Sequence, residues 1–222
     1  MTPSRVWKLS FVFMLLSCLI PIGVVQAQPV NITKDLDKFT VKHGKRQITV
    51  SRNQDIRAVI EPDFAKVARN CPPFCIQPME AAPGVTTIGE LELIDFMMHE
   101  VNQETGLLVD ARTPDWHAQG VIPGSINIPY TDISPSMGAN PMEIERVLKP
   151  LGVMTKDSGA LDFSKVKKVA IWCNGPWCGQ SHAAISGLIE LGFPANKILY
   201  YRGGMQMWKL FGFTVVPPAE EM

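Results

Sequence analysis

In the second half of the chain, short apolar-rich runs alternate with stretches of helical spacing. Residues 107–111, 126–128, 169–172 and 198–201 are dominated by Leu, Val, Ile, Trp and Tyr and bounded by turn residues. That is the pattern of strands buried on both faces. Between them, Ala184, Ile185, Leu188 and Ile189 recur at helical spacing after Ser181, and Gly192 stands at a C-terminal cap position. Upstream, Thr87 and Glu90 predict a capping box, followed by a stripe of Leu91, Ile94, Met98 and Val101 on one helical face. The stripe reads as core packing, and Met97 and Met98 need no metal. Residues 131–167 form a long connection around one helix, Pro141 to Leu148. Strands alternating with helices predict an α/β fold: a parallel sheet covered by helices on both faces.

Ahead of residue 85 the pattern changes. Phe39 to Lys42 and Gln47 to Val50 alternate around His43-Gly44 and predict a β-hairpin. Pro62 opens a short helix over Asp63 to Ala68. Cys71-Pro72-Pro73-Phe74-Cys75 cannot be helical throughout. The first 27 residues read as a signal peptide. Arg5 and Lys8 precede an apolar run from Leu9 to Val25, and Val25-Gln26-Ala27 supplies small residues for cleavage after Ala27. A lipoprotein box at Leu15-Leu16-Ser17-Cys18 and an uncleaved anchor are the alternatives. The expected layout is a leader over 1–27, an extension over 28–84 and the main domain over 85–222. The mature protein is expected to be periplasmic or otherwise exported, with no stable membrane insertion.

Composition adds limits. With 222 residues, 46% of them hydrophobic, the chain can build one core and an appendage. A formal charge of zero and no basic stripe argue against nucleic-acid binding.

The chemistry concentrates at Cys173-Asn174-Gly175-Pro176-Trp177-Cys178-Gly179-Gln180-Ser181-His182. Cys173 ends a predicted strand and faces a helix N-terminus across a loop of backbone amides. Such a setting favours an anion and lowers a thiol's pKa, which suits a nucleophile. After removal of Cys18 the other cysteines are Cys71, Cys75 and Cys178. In an oxidising compartment, Cys71 and Cys75 read first as a structural disulfide, with a redox-active dithiol or a docking element as alternatives. A four-cysteine metal site has the wrong spacings and would consume the nucleophile, so no metal is expected.

Several runs resemble the rhodanese (sulfurtransferase) family. Leu107 to Arg112 is similar to its strand ending in Asp-x-Arg. Gly120-Val121-Ile122-Pro123-Gly124-Ser125-Ile126-Asn127-Ile128-Pro129 is similar to its G-H-I-P-G-A-x-N-I-P run. Tyr200-Tyr201-Arg202-Gly203-Gly204, with Trp208, resembles its closing motif. The resemblance implies that Cys173 accepts the outer sulfur of a small anionic donor such as thiosulfate and becomes a persulfide. The residues from Asn174 to Ser181 would hold the anion. The sulfur then passes to a thiol, cyanide or a protein acceptor, and no cofactor is needed. Asp110 and Arg112 match the family's structural pair.

Here the loop is longer than the family's usual one and holds no Lys or Arg. Arg202 would supply charge from outside it or form a structural pair. His182 reads as a solvated side chain, with a proton shuttle as the alternative. His117 reads as exposed. Cys178 is either a resolving thiol for Cys173 or a small apolar residue packed under the loop. A sulfurtransferase leads these readings, ahead of a thiol-disulfide protein using Cys173 and Cys178 and an idle binding module.

Overall fold

The computed structural model describes residues 28–219; the predicted leader lies outside the described residues. The extension begins with β1 (Lys38–His43) and β2 (Arg46–Ser51), an antiparallel hairpin. It continues through α1 (Pro62–Ala65), where Pro62 occupies the first turn and needs no hydrogen-bond partner for its nitrogen. Next come β3 (Thr86–Ile88), α2 (Glu90–Phe96), β4 (Gly106–Asp110) and α3 (Pro114–Ala118). Then follow β5 (Ser125–Asn127), α4 (Tyr130–Ile133), α5 (Pro141–Leu148) and a small hairpin of β6 (Met154–Thr155) and β7 (Leu161–Asp162). The last elements are β8 (Lys168–Trp172), α6 (Gln180–Glu190), β9 (Ile198–Tyr201) and α7 (Gly204–Leu210).

Five strands form a parallel sheet in the order β3-β9-β8-β4-β5. Period-two alternation divides its side chains between two cores. Leu108, Ala170, Trp172, Leu199 and Tyr201 face a cluster shared with Leu93 of α2, Met205 and Trp208 of α7, and Val41 and Val50 of the hairpin. Val109, Val169, Ile171, Ile198 and Tyr200 face the other cluster, against Ile133, Val147, Leu148, Ala184, Ile185 and Leu188 from α4, α5 and α6. Both faces are covered, as the unbroken apolar runs require.

The hairpin is tied in by polar contacts as well. The His43 ring accepts from the Gly124 amide at Nδ1 (3.2 Å) and meets the Pro217 carbonyl at Nε2 (3.0 Å), an arrangement that selects the neutral Nε2–H tautomer. Asn102 pairs with the β1 backbone at both Thr40 and Lys42.

Two expectations around residue 90 are corrected. Thr87 does not cap α2: it pairs with Tyr200 in the sheet, and its hydroxyl donates to the Met79 carbonyl. Gly89 is the N-cap, its amide bonded to the Glu92 carboxylate at 3.0 Å. Leu91 is exposed, and the buried residues are Leu93, Ile94, Phe96, Met97 and Val101. Starting the helix at Glu90 and following it with a π-turn at Met97–Val101 rotates the stripe away from Leu91. The short helix after Pro62 stops at Ala65 rather than Ala68. No helix among the described residues is long and apolar enough to cross a membrane.

Candidate active site

Cys173 follows the last residue of β8 and is buried. The loop that carries it is held from below by α7. Met205 N donates to the Cys173 carbonyl and Gln206 N to the Asn174 carbonyl, both at 2.9 Å. Gly204 makes this contact possible: its φ is +55°, and a Cβ there would collide with the Cys173 carbonyl oxygen. On the opposite side the Asn174 side chain reaches the Arg112 guanidinium at 3.5 Å.

Arg112 in turn makes a two-point pair with Asp110, Nε to Oδ1 at 2.8 Å and Nη2 to Oδ2 at 2.7 Å, with both residues buried. Its guanidinium lies over the Trp172 ring at 4.5 Å. Asp110 also binds His117 Nδ1 at 2.8 Å, which overturns the reading of His117 as exposed. The same carboxylate that orients Arg112 draws the imidazole inward. This buried network touches the loop through Asn174.

Around the sulfur, burial pushes the Cys173 thiol up. Donors from the Cys178 thiol, the Ser181 hydroxyl and the Ser181 and Gly175 amides outweigh that and bring its pKa down from 9.0 to about 7. As a thiol, Cys173 donates to the Cys178 carbonyl at 3.2 Å. As a thiolate it becomes the acceptor for these donors. The buried Ser181 hydroxyl has no other partner among the described protein atoms. Cys178 is pushed the other way: its hydrogen bond to Cys173, then burial, then the Cys173 charge hold it protonated. The two thiols therefore divide into one that ionises and one that stays protonated.

The remaining predicted residues separate. The Cys178 amide bonds the Gly175 carbonyl at 2.9 Å, so it closes a turn within the loop. Cys178 Sγ also lies 3.6 Å from Gln180 Oε1. Gly179 caps α6. His182 is not solvated. Both ring nitrogens are buried without a protein partner, the ring meets Tyr200 edge-on at 4.9 Å, and burial followed by the charge of Arg202 lowers its pKa. Packing against β9 turns it inward and keeps it neutral. Arg202 donates from Nε and Nη2 to the Gln77 carbonyl, at 3.2 and 2.8 Å, and so clamps the extension onto the end of β9.

The extension's part in the site was not read from sequence. Gln77 N donates to the Pro176 carbonyl at 2.7 Å. The Arg69 guanidinium stacks 3.7 Å from the Trp177 ring, and Phe74 meets that ring edge-on at 5.6 Å. Gln206 bridges the Trp177 indole and the Phe64 carbonyl, at 2.8 and 2.9 Å. Cys71 and Cys75 are joined in a disulfide with Cα atoms 4.6 Å apart, while Cys173 and Cys178 are free. An aromatic residue inside a cysteine-bracketed, proline-stiffened loop was the one available signal for this wall.

The family model described as rhodanese-like domain matches residues 93–210. The chain belongs to the rhodanese-like domain family. It is 30% identical over 135 residues to thiosulfate sulfurtransferase/rhodanese-like domain-containing protein 3 of Mus musculus, covering 60% of this chain and 73% of the relative. It is 26% identical over 131 residues to a sulfurtransferase of Allochromatium vinosum, covering 59% of this chain and 97% of the relative. A solved rhodanese-related protein from Thermoplasma volcanium aligns with TM-score 0.36 and 24% identity over 59% of this chain and 97% of that one. The rhodanese-like match begins inside α2 and ends with α7, so the Phe74 and Arg69 contacts to Trp177 come from outside it.

Proposed function

We propose that the protein is an exported sulfurtransferase that carries sulfane sulfur as a persulfide on Cys173 and passes it to a thiol or protein acceptor. The observation that carries this reading is the buried Cys173 sulfur with its pKa near 7, facing the orphaned Ser181 hydroxyl. Such a site supports an anion at one atom, first the attacking thiolate and then the persulfide's outer sulfur. The thiolate bonds to the outer sulfur of the donor, the donor's sulfur–sulfur bond breaks, and the remainder leaves with the bonding pair. An acceptor thiolate then attacks the outer persulfide sulfur and returns Cys173 to the thiolate. Every step is a displacement at sulfur in which the sulfane sulfur keeps its oxidation level, so no cofactor enters.

Export rests on the basic start, apolar run and Val25-Gln26-Ala27 site of the leader. Intact-mass spectrometry of the reduced mature protein after exposure to thiosulfate, polysulfide or glutathione persulfide tests the activity. A gain of one sulfur atom, lost in Cys173→Ser, is expected. A loss of two hydrogens mapped to a Cys173–Cys178 bond, with no sulfur gained, would replace this reading with a thiol-disulfide one.

A further inference from the structure

A groove of about 330 Å³ opens beside the catalytic loop, lined by Phe74, Trp116, Tyr130, Met137, Trp177 and Cys178 among others. Its walls come from segments far apart in sequence: the disulfide loop, α3, α4, the turn after α4 and the Cys173 loop. No charged side chain lines it among the described residues. Phe74 and Met137 are 37% and 56% exposed, so large apolar surface faces water where a solvated rim would otherwise stand.

Resting on the sulfurtransferase reading, we propose that Phe74 is a specificity-determining residue, and that the groove it closes selects sulfur donors whose leaving group carries an uncharged apolar ring. Four observations converge. The groove is mainly apolar and partly aromatic, with Asn174 and Gln180 as its uncharged polar residues, so an aromatic ring gains both burial and edge-to-face contacts there. Cys178 belongs to both places: it is among the residues lining the groove, and its carbonyl contacts the Cys173 sulfur at 3.2 Å. A ring in the groove therefore meets a residue that also touches the Cys173 sulfur. The loop supplies no Lys or Arg to grip the second charge of thiosulfate. Finally, Phe74 is fixed by the Cys71–Cys75 bridge around it and by its edge-on contact with Trp177, so the wall is preorganised.

For a thiosulfonate donor, R–SO2–S⁻, the Cys173 thiolate forms a bond to the terminal sulfur. The donor's sulfur–sulfur bond breaks, and the sulfinate R–SO2⁻ departs with the electron pair. Charge and oxidation level balance, and no proton or external oxidant is required.

Benzenethiosulfonate and methanethiosulfonate share the reacting group and differ in the ring, so the ratio of their kcat/KM values reads the groove. Because the two sulfinates differ as leaving groups, the informative quantity is the change of that ratio on mutation. The wild-type ratio is expected to fall by at least about fivefold in Phe74→Ala and to be largely kept in Phe74→Trp. Met137→Ser lies in the turn after α4, outside the extension. It is expected to lower the ratio by about threefold even if Phe74→Ala disturbs the disulfide loop. A ratio unchanged in both Phe74→Ala and Met137→Ser, with both donors loading Cys173, overturns this proposal alone. Failure of both thiosulfonates, thiosulfate and polysulfide alike to load Cys173 overturns the sulfurtransferase reading and this proposal with it.

Discussion

Cys71 and Cys75 lie four positions apart, and Cys173 and Cys178 five, yet the two pairs have opposite chemistry. The first pair sits in a proline-stiffened loop where the sulfurs meet as a disulfide, within a stretch, residues 66–85, that holds no strand or helix. The second sits between the carboxyl end of β8 and the N-terminus of α6, and both sulfurs are free. There the loop backbone turns amides and one hydroxyl toward Cys173, and burial forces the charge to be shared out: one thiol ionises and the other stays protonated to donate. Spacing alone does not tell a bonded pair from an ionisable one. The backbone around each sulfur does.

The harshest way to test that contrast is to remove each sulfur in turn. Cys173→Ser should abolish sulfur loading, a loss of at least about 10³-fold in kcat/KM, with circular dichroism and melting temperature close to wild type. Retained turnover would move the nucleophile elsewhere. The pH dependence belongs to the same atom. The thiolate is the reactive form, so loading should fall about tenfold per pH unit below about pH 7 and level off above it. The stability linkage has the same sign. The folded pKa is depressed below 9.0, so the stabilisation is fully present above the unfolded thiol's pKa and is lost as pH falls through about 7.

Cys178→Ala comes next in size. It removes a donor to the thiolate, and a hydrogen bond to a charged group contributes enough to lower loading at pH 7 by roughly tenfold. The pH profile should shift to the alkaline side, and activity at pH 9 should recover most of the loss. A profile that stays in place while activity falls at every pH would assign Cys178 to packing instead.

How far these roles could be read without coordinates differs between the two pairs. The Cys173 site was legible because it is local: an apolar run, a glycine-rich loop and a helical repeat follow one another within twenty-odd residues, and each carries its own period. The sheet was legible for the same reason at β4, β8 and β9. β3 was not, since three residues with two threonines give no apolar run, and Thr87 looked like a cap because sequence cannot reveal its partner Tyr200 across the sheet. The π-turn at Met97–Val101 leaves no mark on the pattern except a stripe that misplaces Leu91. His117 and His182 were misread because their surroundings, Asp110 and Tyr200, are assembled by tertiary packing. The wall built by Arg69, Phe74 and Gln77 was invisible for that reason too.

Ser181→Ala should act in the same direction as Cys178→Ala and less strongly. The hydroxyl is buried with no other partner, so its removal deletes a donor to the thiolate and leaves no unsatisfied group behind. A threefold to fivefold loss of loading at pH 7, with no loss of thermal stability, is the expected outcome. A marked fall in melting temperature with unchanged loading would make Ser181 a packing residue.

The smallest effect on activity is expected from the other pair. Cys71→Ser with Cys75→Ser opens a loop closed over a separation of four residues, and loop-closure entropy sets the loss of stability at about 2 kcal/mol. Thiosulfate loading should change by less than about threefold, because the donors that hold the Cys173 thiolate all come from residues 175 to 181 and none from the extension. The Phe74 contact with Trp177 should loosen, and the benzenethiosulfonate to methanethiosulfonate ratio should fall with it. Two measurements on one variant therefore separate the pairs. A melting curve reads the staple, and the pH profile of loading reads the nucleophile. If opening the Cys71–Cys75 bridge shifted that pH profile, the extension would be part of the thiolate's electrostatic environment. The division between structural and reactive cysteines would then fail at Trp177, where the two regions touch.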